Sequence, residues 1–108
     1  MIQMNANLTR KLHTDFPMLY RGIDLNPQES AMCWGFECGD GWYSLIYELS
    51  ERLVAYQQQC PGLDLEITQV KSKLGRLCIH SRGGDTSTRR MIASSCEQAG
   101  TVAEFPNH

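Results

Sequence analysis

Leu8, Leu12 and Phe16 recur at four-residue intervals, which predicts a short amphipathic helix over about 7–16. Pro17 ends it, because the residue before a proline disfavours the α region. From Pro17 to Cys38 the chain has no clean period, and Arg21-Gly22 and Asn26-Pro27 punctuate it as loop and turn. A third strand has room within 18–36, with Met18, Leu19, Tyr20 and Ile23 as candidates. The longest apolar stripe is Trp42, Leu45, Ile46, Leu49, Leu53 and Tyr56, which predicts a helix over about 41–59. Asp40 stands where an N-cap belongs, and Cys60-Pro61-Gly62 stops the helix. Leu63, Leu65 and Ile67 then alternate with Asp64, Glu66 and Thr68, the pattern of a half-buried strand. Val70 falls out of phase, and a bulge or a change of exposed face near Gln69 restores it. Lys73-Leu74-Gly75 reads as a turn into a second strand at Arg76–Ser81, so the pair forms an antiparallel hairpin. A last helix covers about 86–99, capped by Thr86 or Ser87, with Gly100 as its C′ residue. The order α-α-β-β-α predicts a small α+β domain in which helices cover the hairpin. The whole chain, 1–108, is expected to be one domain, with 1–6 and 101–108 as loose tails.

Composition changes this picture little: 42% apolar and 20% charged residues are ordinary for a globular chain. No apolar run approaches the roughly 18 residues that span a bilayer, and the N-terminus lacks the basic-then-apolar order of a signal peptide. Five cysteines, an odd number, fit a reducing cytoplasm better than a disulfide framework. Charge changes the picture more. Residues 1–70 carry four basic against nine acidic side chains. Residues 71–90 carry Lys71, Lys73, Arg76, Arg82, Arg89 and Arg90 against Asp85 alone. The basic segment either pairs with the acidic helices of its own fold or steers a charged partner onto one face. Arg89 and Arg90 sit in the first turns of the last helix, against its dipole, unless Glu48 or Glu51 neutralises them.

The densest stretch is Cys33–Tyr43, which packs three glycines, two cysteines and four aromatics into eleven residues. Its segment Gly35-Phe36-Glu37-Cys38-Gly39-Asp40-Gly41-Trp42-Tyr43, followed by the amphipathic helix, resembles a family of small proteins encoded by bacteriophages and prophages. Val70-Lys71-Ser72-Lys73-Leu74-Gly75-Arg76-Leu77 matches that family's second block, a Val-Lys-x-Lys-x-Gly-x-Leu pattern, and the resemblance runs over roughly residues 8–100. It implies a phage context and no particular chemistry. Many members of the family continue from the last helix into a Cys-Glu-x-Cys-Gly segment that opens a zinc ribbon. Here the matching residues are Cys96-Glu97-Gln98-Ala99-Gly100, with alanine in place of the second cysteine. The ribbon is expected to be degenerate, since a structural zinc needs four ligands. Cys96 then serves as a small buried hydrophobe.

Other candidate chemistry is thin. Cys33-x4-Cys38 and Cys78-x-His80 lack the usual knuckle spacing of a zinc site, so no metal and no cofactor is expected. Cys78 and His80 share a strand face, yet a nucleophile also needs an oriented base and an electropositive pocket. No set of base and orienting group is visible, and the chain is read as a non-enzyme. Gly35, Gly39 and Gly41 do not make a phosphate loop, because no Lys-Ser/Thr pattern follows and Asp40 repels phosphate. Arg82-Gly83-Gly84-Asp85 is a better anion nest, and equally a plain hairpin-to-helix connection. Trp42 belongs to the core stripe, whereas Tyr43 and Tyr47 are offset from it and open to a partner.

These features favour a small phage-encoded protein-binding protein acting in the cytoplasm of a bacterial host. The expected activity is inhibition of a host defence system such as a CRISPR–Cas effector. The expected partner is a host protein or protein–nucleic acid complex, with no membrane involved. Its contact residues are read as Lys71, Lys73, Arg76, Arg82, Arg89, Arg90, Tyr43 and Tyr47. Two alternatives stand beside this reading. One is a nucleic-acid-binding module using the basic segment 71–90, against which the pI of about 5.9 counts. The other is a phage structural or accessory protein derived from a zinc-ribbon protein.

Overall fold

A computed structural model describes residues 2–26 and 28–105. Pro27 and the last three residues of the expected C-terminal tail lie outside the described residues. The fold is α+β, with three α-helices and one three-stranded sheet among the described residues. Helix α1 (Ala6–Asp15) starts at Asn5, whose side-chain oxygen accepts the Asn7 N–H at 2.7 Å, and it buries Leu12 completely. Strand β1 (Phe36–Glu37) precedes helix α2 (Tyr43–Gln59). Strands β2 (Glu66–Lys73) and β3 (Arg76–Arg82) form the hairpin, and helix α3 (Thr86–Gln98) follows. Four short 3-10 turns fill the irregular stretches, at Arg21–Asp24, Ala31–Trp34, Asp40–Trp42 and Ala99–Thr101.

The third strand is Phe36–Glu37, at the very end of the expected window 18–36 and away from the named candidates, and it runs parallel to β2 with Phe36 opposite Val70. Leu19, a candidate for that strand, instead lends only its carbonyl to the Ile67 N–H, at 2.9 Å. The sheet order is β1-β2-β3. The register between β2 and β3 shifts between Ile67 and Gln69, the irregularity that the phase of Val70 requires. With that extra residue, Ile67, Val70, Leu77 and Ile79 point inward together. They join Phe36, Tyr20, α2 residues Ile46, Leu49 and Leu53, and Ile92 of α3 in one apolar cluster. Tyr20 seats edge-on against Phe36, and its hydroxyl meets the Ser50 hydroxyl of α2 at 2.6 Å. A buried phenol therefore has its polar end satisfied.

Two helix caps differ from the sequence expectation. The α3 cap is Asp85, one residue before Thr86: its carboxylate accepts the Thr88 N–H at 2.9 Å, and the Thr88 hydroxyl accepts the Asp85 N–H at 2.8 Å. A threonine at N3 completes the reciprocal pair as a glutamate would. Asp40 does not cap α2. It opens the 3-10 turn Asp40–Trp42 that precedes α2, and its carboxylate accepts the Asn5 N–H at 2.7 Å, tying the start of α1 to the entry of α2.

Neither end is loose over its described residues. Met4 is buried, and its N–H donates to the Phe36 carbonyl at 2.9 Å. At the other end, residues 102–105 dock on the glycine-rich block. The Trp42 indole N–H donates to the Val102 carbonyl at 3.1 Å, and the Gly41 N–H donates to the Glu104 carbonyl at 2.6 Å. The Glu104 carboxylate accepts the Gly39 N–H and the Ser72 hydroxyl, each at 3.0 Å. A Cβ on Gly41 would lie 1.8 Å from the Ala103 carbonyl oxygen, so only glycine lets the tail approach this closely.

Candidate partner-binding surface

The hairpin carries two faces with separate tasks. Alternation and the β2–β3 pairing place Glu66, Gln69, Lys71 and Lys73 on the face away from the apolar cluster. Arg76, Cys78, His80 and Arg82 share that face from β3. The bulge is what sends Lys71 outward: without it, Val70 would face solvent and Lys71 the core. Lys73 and Arg76 close the hairpin as directly opposed residues, and Lys71 lies one step back, opposite Cys78. Glu37 of β1 is the register neighbour of Lys71.

The six cations do not form one patch. Lys71, Lys73 and Arg76 gather at the turn end of the hairpin. Arg82 ends β3 at the opposite end, seven residues along the strand, roughly 20 Å from the turn at about 3.3 Å per residue. There its Nε–H donates to the buried carboxylate of Glu66 at 2.9 Å. The same carboxylate receives Arg21 at 3.4 Å, and Arg21 also reaches Asp64 at 3.2 Å and the carbonyls of Met18 and Leu65. Glu66 thus clamps the loop at 18–21 to the hairpin base, and Arg82 already has its counter-charge. Arg89 and Arg90 are exposed on the first turns of α3, and Arg89 donates to the Thr86 hydroxyl at 3.3 Å. Neither pairs with Glu48 or Glu51; α2 instead reaches α3 through Arg52, which donates to Ser95 at 3.2 Å. Among the described residues, Lys71, Lys73, Arg76, Arg89 and Arg90 form no ion pair.

The two tyrosines read as open to a partner are half-buried between α1 and α2. Tyr47 packs edge-on against Phe16, leans on Tyr43, and donates its hydroxyl to Asp15. Lys11 and that hydroxyl hold the Asp15 carboxyl below the usual range, and the same contact pushes the Tyr47 phenol up. Periodicity alone put these rings outside the α2 stripe; α1 supplies a second surface for them to pack on.

The remaining chemical candidates are absorbed by the fold. Burial pushes the Cys38 thiol up to about 12, helped by the charges of Glu104 and Asp40, and holds it protonated among the core residues. Burial also raises Cys96. Across the ladder His80 faces Gln69, and Cys78 faces Lys71. The helix start after Arg82 is capped by the chain's own Asp85, which also accepts the Tyr56 hydroxyl at 2.6 Å. Both contacts lower the Asp85 carboxyl. Among the described residues, no three His, Cys, Asp or Glu side chains stand together as a metal site, and no helix is long and apolar enough to cross a membrane.

One surface residue was read in the sequence only as part of a turn. Leu74 is 96% exposed at the hairpin tip, with φ at 54°. Gly75 follows with φ at 78°, so the two-residue loop has the positive-φ pair of a type I′ turn. Such turns favour Asn-Gly; the signal was the leucine in the asparagine position. No family model, no curated protein and no solved structure matches the chain.

Proposed function

We propose that this is a protein-binding protein that presents the turn end of its hairpin, and the first turns of α3, to an acidic surface. In the setting implied by the phage resemblance, that surface belongs to a host bacterial protein or protein–nucleic acid complex. The outcome is inhibition of a host defence system such as a CRISPR–Cas effector, in the host cytoplasm. The observation that carries this reading is the unmatched charge. Lys71, Lys73, Arg76, Arg89 and Arg90 make no ion pair among the described residues, in a chain with more acidic than basic residues. A chain with twelve carboxylates had the means to neutralise them internally, as it does for Arg21 and Arg82. Cations left this way, exposed at Lys73, Arg76, Arg89 and Arg90 and half-buried at Lys71, raise encounter rates with an acidic partner and set its orientation.

Immobilised full-length protein, exposed to lysate of a bacterial host, tests this. Capture of a defined host protein is expected at low salt, with a steep fall when ionic strength rises toward 0.5 M, where the Debye length drops to about 4 Å. The variant K71E/K73E/R76E should lose the captured protein, and R89E/R90E should weaken capture, with both folds intact. Capture that disappears on nuclease treatment would transfer the surface to nucleic acid. Capture indifferent to salt and to both variants would move the interface off the basic surface.

A further inference from the structure

Resting on the basic surface proposed above, we infer that Leu74 is its anchor: an aliphatic plug, ringed by Lys71, Lys73 and Arg76, for an apolar notch with an acidic rim on a partner protein. Two local disadvantages meet at this residue. A β-carbon in the left-handed region crowds the following carbonyl, which is why glycine and asparagine dominate there. The side chain is also almost wholly exposed and covers no apolar surface of its own fold. Other exposed apolar residues lack this combination. Trp34 is half exposed, but the Gln3 side-chain amide donates to its carbonyl and ties its segment to the N-terminal one. Phe105 lies against the Gly39 side of the tail cradle, and Leu74 is the one non-glycine residue with positive φ among the described residues.

The surroundings of Leu74 select the partner. Lys73 and Arg76 flank it directly as the closing pair of the hairpin, and Lys71 stands on the same face one step back. An apolar centre inside a charged rim is the arrangement of an interface hot spot, in which burial of the centre excludes water from the charge pairs around it. A nucleic acid would use the cations, yet it gains little from an aliphatic side chain, since stacking needs an aromatic or guanidinium plane. An acidic protein surface with an apolar notch uses all four residues. The hairpin is well built for this: its tip projects from a ladder whose other face is locked into the core by Val70, Leu77 and Ile79.

The test uses the full chain and displayed random dodecapeptides as the probe. Selection against the wild-type protein should enrich sequences that combine Asp or Glu with Leu, Phe or Trp. The best peptides are then titrated against three variants. Leu74→Asn should raise the thermal midpoint by roughly 2–5 °C, because asparagine suits the turn, while peptide affinity falls roughly tenfold or more. Leu74→Met should retain affinity within about threefold, because methionine conserves the volume. K71E/K73E/R76E should abolish binding. Enriched peptides that are acidic but bind Leu74→Asn as well as wild type would overturn the anchor and leave the charged surface standing. Peptides indifferent to all three variants would overturn both. A selection without acidic, apolar sequences overturns the anchor, as does Leu74-dependent binding that appears only with duplex DNA or with vesicles of anionic lipid.

Discussion

The two densest sequence blocks, Gly35–Tyr43 and Val70–Leu77, have opposite fates in the fold. Gly35–Tyr43, dense in glycine, cysteine and aromatic residues, turns inward. Trp42 and Cys38 are buried, Gly39 and Gly41 receive the backbone of residues 103–104 and the Phe105 ring, and Asp40 ties down the start of α1. Val70–Leu77 begins inward at Val70, turns outward at the half-buried Lys71, exposes Leu74 at positive φ at the hairpin tip, and returns inward at Leu77. In the first block, each unusual residue has an internal contact that explains it. In the second, packing accounts for Val70 and Leu77 and for Ser72, which holds Glu104, but not for the three cations or the leucine. Unusual composition alone therefore does not separate the two blocks. What separates them is whether the unusual residues have internal contacts.

The largest effect that separates the two regions should come from Trp42→Ala. It empties a fully enclosed site and removes the bond to the Val102 carbonyl, and should cost about 3–5 kcal/mol in a denaturant titration. Gly41→Ala should cost about 1–3 kcal/mol, because the new methyl group lies where the Ala103 carbonyl stands. Hydrogen exchange should then show the 102–105 segment and the Gly41 amide losing protection together. Asp85→Ala should cost about 1 kcal/mol through the lost cap of α3. Asp85 and Asp15 also set an acid response. Both carboxyls are lowered in the fold, Asp85 first by Tyr56 and Asp15 first by Lys11, so each stabilises the protein above the ordinary value of 3.8. That contribution is lost as pH falls through the lowered folded values, and a fluorescence-monitored acid titration of Asp85→Asn should show a shallower loss below about pH 4. The tip should behave the other way. Leu74→Asn should stabilise the protein by on the order of 0.5–1 kcal/mol. K71E/K73E/R76E should stay within about 0.5 kcal/mol of wild type, since exposed charges without partners contribute little to the fold. A large loss of stability in either tip variant would show that the hairpin end is structural, and the contrast between the blocks would fail.

Elements with a long, one-sided period were legible in the sequence. The stripe from Trp42 to Leu53 defines α2, and the phase slip at Val70 announces the bulge that the register contains. Contacts between distant segments were not legible. Asp40 looks like a cap from its neighbours alone, and only the arrival of Asn5 from the N-terminal segment explains its bond. Tyr43 and Tyr47 lie off the α2 stripe, but α1 covers that side with Phe16 and Asp15. The tail at 102–105 has no period to read, because its order comes from backbone hydrogen bonds to a glycine cradle. For the candidate surface, the cations could be counted in the sequence, but their division between the hairpin turn, the Glu66 clamp and α3 depended on the pairing of β2 with β3. Leu74 was legible as part of a turn, but its near-complete exposure and its positive φ were not, because they depend on the turn's backbone angles.

Amide hydrogen exchange, measured on the protein alone and bound to the host protein it captures, tests the division between the blocks most directly. The predicted result is added protection across Lys71–Leu77 and the first turn of α3, with Gly39–Trp42 and 102–105 unchanged. Added protection confined to Gly39–Tyr47, with the hairpin turn exchanging as in the unbound protein, would contradict it.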